Sequence, residues 1–134
     1  MRLLLNVVGA LFLSFVATTY IALESDGVVV VETYNAGTSI LRRTHVWYVP
    51  EQGKLLLEAG NPQNSWVQDL ENRNVAHIYG EGLDGEYRFT RFDSDSHGVI
   101  RKKMRERYGW RDWWVSFLFD TSESFMIEAI RSDT

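Results

Sequence analysis

Two hydrophobic patterns divide the chain. From Leu3 to Leu23 there are 21 residues without a charge, 16 of them apolar, broken only by Asn6, Gly9, Ser14, Thr18 and Thr19. The apolar positions run round the whole helical circumference instead of forming one stripe, and a helix of this length is about 30 Å long, the thickness of a bilayer's hydrocarbon core. A cleaved signal peptide is a poor fit, because Phe15 and Tyr20 stand where small residues are wanted before Ala17 and Ala22. A buried core helix or a helix lying on the membrane surface would also account for the run. The preferred expectation is a single-pass N-terminal membrane anchor over residues 1–23, followed by one domain over residues 24–134. Arg2 before the span and Glu24 and Asp26 after it weakly place that domain outside the cytoplasm.

Beyond the anchor the pattern changes to short alternating runs. Val28-Val29-Val30-Val31 begins a β-branched strand buried on both sides and extending to Tyr34; Thr44 to Val49 and Leu55 to Glu58 form a hairpin across Pro50-Glu51-Gln52-Gly53. Asn64 caps a helix from Ser65 to Asn72, with Trp66 and Leu70 on one face. Val75 to Tyr79 and Glu86 to Phe92 pair across Gly82-Leu83-Asp84-Gly85, with His77, Tyr79, Tyr87 and Phe89 in alternation toward a core. Ser96 caps a helix from His97 to Tyr108 that Gly109 ends; an aromatic stretch (Trp110, Trp113, Trp114, Phe117, Phe119) precedes a last strand from Phe125 to Ile130. Six strands with inserted helices point to a small closed or partly open β-barrel.

Charge and composition narrow the chemistry. With Arg2 set aside the domain carries 13 basic and 18 acidic residues, a net charge of −5, which argues against a nucleic-acid partner. There is no cysteine, hence no thiolate nucleophile, and redox chemistry would need a bound cofactor. His45, His77 and His97 fall on separate elements without metal-ligand spacing, so no metal is expected. No nucleophile elbow or nucleotide-cradling glycine motif occurs, and no carboxylate pair stands in a context that predicts mutual pKa perturbation. The cations of Arg101-Lys102-Lys103-Met104-Arg105-Glu106-Arg107 read first as a solvated helix face; anionic lipid headgroups or a phosphorylated cofactor tail are the functional readings.

Two loops carry the remaining information. Gly37-Thr38-Ser39-Ile40-Leu41-Arg42-Arg43-Thr44 offers hydroxyls and paired guanidinium groups suited to phosphate, and serves equally well as a polar turn. Ala59-Gly60-Asn61-Pro62-Gln63-Asn64-Ser65-Trp66 has little bulk at its start, so a planar body could approach the backbone, and it ends at a helix N-terminus beside an aromatic ring. A plain loop with a helix cap is the competing reading.

In this order the two loops resemble those of the deazaflavin-dependent nitroreductase family, a branch of the FMN-binding split β-barrel (pyridoxamine-phosphate-oxidase-like) proteins. The likeness runs from Val28 to Ile130 through Thr33, Asn35 to Ser39, Arg42-Arg43-Thr44, Trp47-Tyr48-Val49, Leu57 to Asn61, Ser65 to Leu70 and Glu106-Arg107-Tyr108-Gly109. The chain departs from the family where Asn35-Ala36-Gly37-Thr38-Ser39 replaces Gly-Arg-Lys-Ser-Gly and where Asn64 replaces the proline before the tryptophan. The resemblance implies a mainly β fold with α elements: a six-stranded antiparallel split β-barrel with two or three helices behind the N-terminal apolar helix. It also implies an oxidoreductase in which a reduced deazaflavin (coenzyme F-420) or FMN delivers hydride to a quinone or nitroaromatic-like acceptor, with homodimers common among split barrels; the N-terminal apolar helix adds the expectation of membrane association, with membrane lipid as a partner. Cofactor contacts would fall to Arg42 and Arg43 for phosphate, Thr38 and Thr44 for hydroxyl contacts, and Gly60, Asn61, Asn64, Ser65 and Trp66 for the ring system. No catalytic acid, base or nucleophile is assigned. The competing function is a non-enzymatic ligand-binding or interaction module that has lost tight cofactor binding.

Overall fold

A computed structural model of the chain describes residues 1–132, with the backbone alone for residues 91–94. Asp133 and Thr134, the end of the expected domain, lie outside the described residues, as do the side chains of Phe92 and Asp93. Six strands, β1 (Val28–Tyr34), β2 (Leu41–Glu51), β3 (Lys54–Ala59), β4 (Val75–Gly80), β5 (Leu83–Asp93) and β6 (Phe125–Arg131), close into an antiparallel barrel in the order β1-β2-β3-β6-β5-β4. Four helices accompany them: α1 (Arg2–Glu24), α2 (Ser65–Asn72), α3 (His97–Tyr108) and α4 (Trp110–Leu118).

Alternation along the strands builds the core. Val29 and Val31 of β1, Val46 and Tyr48 of β2, Leu55 and Leu57 of β3, Ile78 of β4, Phe89 of β5 and Ile127 of β6 point into the barrel, and α2 adds Trp66, Val67 and Leu70. Each such side chain, fully buried, contributes about 1.5–3 kcal/mol of transfer free energy. A second cluster lies outside the wall, where Ile100, Met104 and Tyr108 of α3 cover Leu56 and Met126, the outward residues of β3 and β6. Tyr108 fixes this helix. Its hydroxyl lies 2.6 Å from the Gly27 carbonyl and 2.9 Å from both the amide nitrogen and the carbonyl oxygen of Tyr48, so it accepts from the amide and donates to a carbonyl. Gly27 has a positive φ of 84°, and a Cβ there would stand 2.8 Å from the Tyr108 ring.

Several local expectations change. β1 is buried on alternate residues only, because helices do not cover both its faces. In β4 it is Ala76 and Ile78 that face the core, leaving His77 exposed. The β4–β5 turn is Glu81-Gly82, both at positive φ, whereas Asp84 and Gly85 already pair with Tyr79 and Ile78. The Arg131 guanidinium occupies the place of a Gly85 side chain, 2.9 Å from where a Cβ would stand, which explains a glycine within the strand. Neither Asn64 nor Ser96 makes a side-chain cap; the Ser96 hydroxyl instead accepts the Met126 amide at 2.7 Å. The aromatic stretch after Gly109 is helical, as α4. α1 is not a core helix: it is long and apolar enough to cross a membrane, and its most apolar 18-residue stretch is unburied.

Candidate functional site

The barrel wall parts between β2 and β3. Residues Leu41 to Trp47 of β2 pair with β1, but only Tyr48 to Glu51 pair with β3, the last rung being Tyr48 with Leu57. Beyond that rung β3 continues with Glu58 and Ala59 paired to β6 alone. Successive residues of an antiparallel strand point their backbone groups to opposite sides, so alternate N–H and C=O groups of residues 44–47 face the gap. The gap is a cleft of about 270 Å³. Val46 and Trp66 form its inner side, Leu23 of α1 and Val115 of α4 its outer side, and Glu24, His45, Glu58 and Asn64 its polar rim.

Hydrogen bonds hold the rim in place. The His45 Nδ1 lies 2.6 Å from a Glu24 carboxylate oxygen, and the Trp47 indole N–H donates to the Leu23 carbonyl at 3.2 Å. Both contacts tie the end of α1 to the outer face of β2. Trp47 stacks on Tyr108 with ring centroids 4.1 Å apart, and the Arg111 guanidinium lies 5.4 Å and 5.1 Å from those two rings. Arg111 also donates to the Ala22 and Asp26 carbonyls; its buried second terminal nitrogen lacks a hydrogen-bond partner, so the rings partly replace one.

A charge cluster closes the cleft on the β3 side. Arg101 of α3 donates to both Glu58 oxygens at 2.8 Å, to fully buried Asp112 of α4 and to the Ser116 hydroxyl. Burial pushes the Glu58 carboxyl above the usual carboxylate range against the pull of Arg101, and the nearby Asp112 charge pushes the same way. Burial works against the charge of Arg101 itself, but Glu58 and Asp112 together hold it protonated. The sequence did not foretell this carboxylate pair, which is joined through one guanidinium. Arg101 is correspondingly not part of a solvated face, whereas exposed Lys102 is.

The residues singled out by sequence separate into two groups. Thr44, Gly60, Asn64 and Trp66 come together on the cleft. The others lie elsewhere. The Thr38 hydroxyl donates to Asn35 within its own exposed turn, at 3.1 Å. Arg42 donates at 2.9 Å to Asp69 of α2, a buried carboxylate that also accepts the Thr33 hydroxyl at 2.7 Å. Arg43 pairs with Glu32, directly opposite on β1, at 3.2 Å. Asn61 donates to Glu123 and accepts the Gln63 amide, and Ser65 is an exposed residue at the start of α2. Sequence reasoning missed Glu24, His45, Trp47, Glu58 and Val115. The i, i+2 spacing of His45 and Trp47 was a usable signal, since both share the outer face of β2 once Val46 and Tyr48 are turned inward. Among the described residues no three His, Asp or Glu side chains converge as a metal site.

A phosphorylated flavin or deazaflavin fits this arrangement only in part. The cleft's volume of about 270 Å³ suits a bare ring system and lies just below the ~300–1,000 Å³ of pockets that bury drug-sized ligands. The phosphate has no seat there: the cleft is lined by two carboxylates and no guanidinium or ammonium, and Arg42 and Arg43 are engaged with carboxylates away from it.

No protein-family profile matches the sequence, and no curated protein matches it either. Solved structures do. HutZ, the heme storage protein from Vibrio cholerae, superposes with a TM-score of 0.58 over 83% of this chain and 85% of its own, at 12% identity. Atu2129 from Agrobacterium tumefaciens, a protein of unknown function, superposes with a TM-score of 0.57 over 92% of this chain, at 12% identity; this chain spans 55% of that one. At such identities the likeness is one of fold, and the chain has the split β-barrel fold that HutZ also has.

Proposed function

We propose that the protein is a membrane-tethered split-barrel module that binds a planar, uncharged or cationic ring compound of the quinone class in the cleft between β2 and β3. One observation carries the reading: a ring-sized cleft walled by Trp66, Val46, Leu23 and Val115 is rimmed by Glu24 and Glu58, while both arginines expected for a phosphate are paired elsewhere. The tether is α1, whose last residues line the same cleft, so a ligand dissolved in lipid would meet the cleft where the helix leaves the membrane. Thr44, Asn64 and His45 supply donors for ring carbonyls. Val115→Trp would fill the outer side of the cleft. Menadione should quench the tryptophan fluorescence of the full-length wild type saturably, and the variant should lose at least tenfold in affinity while keeping its melting temperature within a few degrees. Undiminished binding by the variant would move the site elsewhere, and absence of binding by the wild type would end the quinone reading.

A second reading rests on the convergence of Thr44, Gly60, Asn64 and Trp66 on this cleft. The resemblance to the deazaflavin-dependent nitroreductase family gives Gly60, Asn64 and Trp66 to the ring system and Thr44 to a hydroxyl contact. On that reading the ring of deazaflavin or FMN occupies the cleft and its phosphate tail is held outside it. Tighter binding of FMN or deazaflavin than of their unphosphorylated rings, lost in the Arg42→Ala, Arg43→Ala double variant, would favour it.

A further inference from the structure

We propose that α4 is a second membrane-contacting element, whose Trp110, Trp113 and Phe117 face lies in the interfacial layer of the bilayer that α1 enters. The inference rests on the reading of α1 as an anchor. α4 divides into three faces at helical spacing. Asp112 and Ser116, four residues apart, turn toward α3 and bond Arg101. Arg111 and Trp114 turn toward α1: the Arg111 Nε donates to the Ala22 carbonyl at 2.9 Å, the Trp114 indole N–H to the Thr19 hydroxyl at 3.1 Å, and the Trp114 ring packs 5.7 Å from Phe15. The third face is open, with Trp110 54%, Trp113 61% and Phe117 74% exposed and the last two rings stacked at 6.0 Å. Three large aromatics would be a costly surface in water. At a membrane interface they are a favoured one, because their apolar rings enter the acyl boundary while the indole N–H meets water and headgroups.

The length of α1 selects lipid as the occupant. The hydrogen bonds and ring contact between α4 and α1 fall between Phe15 and Ala22, and residues 3–14 of α1 are exposed. Twelve residues of helix reach about 18 Å, well short of the ~30 Å hydrocarbon core. A spanning α1 therefore takes the segment beside α4 into the bilayer as well, and brings the open face of α4 to the same depth. Tyr20 and Ile21, also exposed on α1, belong to that layer.

The absence of cysteine makes the test direct, since single cysteines can be labelled in the full-length chain. Leu11→Cys reports α1, Phe117→Cys reports α4, and Arg88→Cys, on exposed β5 across the barrel from β2 and β3, reports solvent. Each would carry an environment-sensitive fluorophore in phosphatidylcholine–phosphatidylglycerol vesicles. We expect brominated acyl chains to quench the labels at 11 and 117 at least twofold and aqueous iodide to quench only the label at 88. Lipid quenching at 11 with iodide quenching at 117 would overturn the role of α4 and leave the anchor standing. Iodide quenching at 11 would overturn the anchor and the inference with it. Shielding of 117 from both quenchers would show that a second copy of the chain covers the face, and would also overturn the proposal.

Discussion

The seam between β3 and β6 and the seam between β2 and β3 are sealed in different ways. The first is a ladder in which all six residues of β3, from Lys54 to Ala59, have partners. The second has four rungs and then opens, and what borders the opening is side chains from α1, α2 and α4. A ladder of backbone hydrogen bonds specifies only itself, whereas an opening sealed by side chains can vary in size, charge and access without unfolding the barrel. This is why the chain's acidic rim, its tie to α1 and its lack of a phosphate seat all appear at the same place.

Variants at the open seam should separate these roles. Trp66→Ala removes the largest side chain on the cleft's inner side; a loss of about 4 kcal/mol is expected, as for other buried aromatics, measured by denaturant unfolding of the full chain. Asp112→Ala leaves Arg101 without its buried partner and should cost about 3 kcal/mol; a loss below about 1 kcal/mol would mean that Glu58 alone suffices. Arg42→Ala should cost about 2 kcal/mol, because it strips a buried carboxylate of its counter-charge. Arg43→Ala, at an exposed pair, should cost no more than about 0.5 kcal/mol. Equal losses for the two would contradict the assignment of Arg42 to the fold.

The smallest effect is a pH dependence. Because the Glu58 pKa is raised in the folded state, its contribution to stability is complete below its ordinary value of 4.5 and is lost as pH rises through the raised value. Glu58→Gln should therefore gain on the wild type between pH 4.5 and neutrality. Melting curves that stay parallel across that range would show that Arg101 cancels the effect of burial.

Local signals made the barrel legible and left the site only half visible. The valines of β1 and the Trp66–Leu70 spacing of α2 report their own neighbours, so those elements follow from sequence. α4 did not, because Trp110, Trp113, Trp114, Phe117 and Phe119 look uniformly apolar until α1 and α3 show which faces they cover. The charge partners are also remote: Arg42 meets Asp69 across 27 residues and Arg101 meets Glu58 across 43. An arginine pair beside hydroxyls looks the same in sequence whether it awaits a phosphate or already holds a carboxylate.

The central claim is that the cleft receives a ring and lacks a phosphate grip, and the ratio of affinities for riboflavin and FMN in the full-length protein tests it most directly. The account predicts that FMN binds no more tightly than riboflavin and that Arg42→Ala with Arg43→Ala leaves the ratio unchanged. FMN binding tenfold or more tightly, with the advantage lost in the double variant, would contradict it.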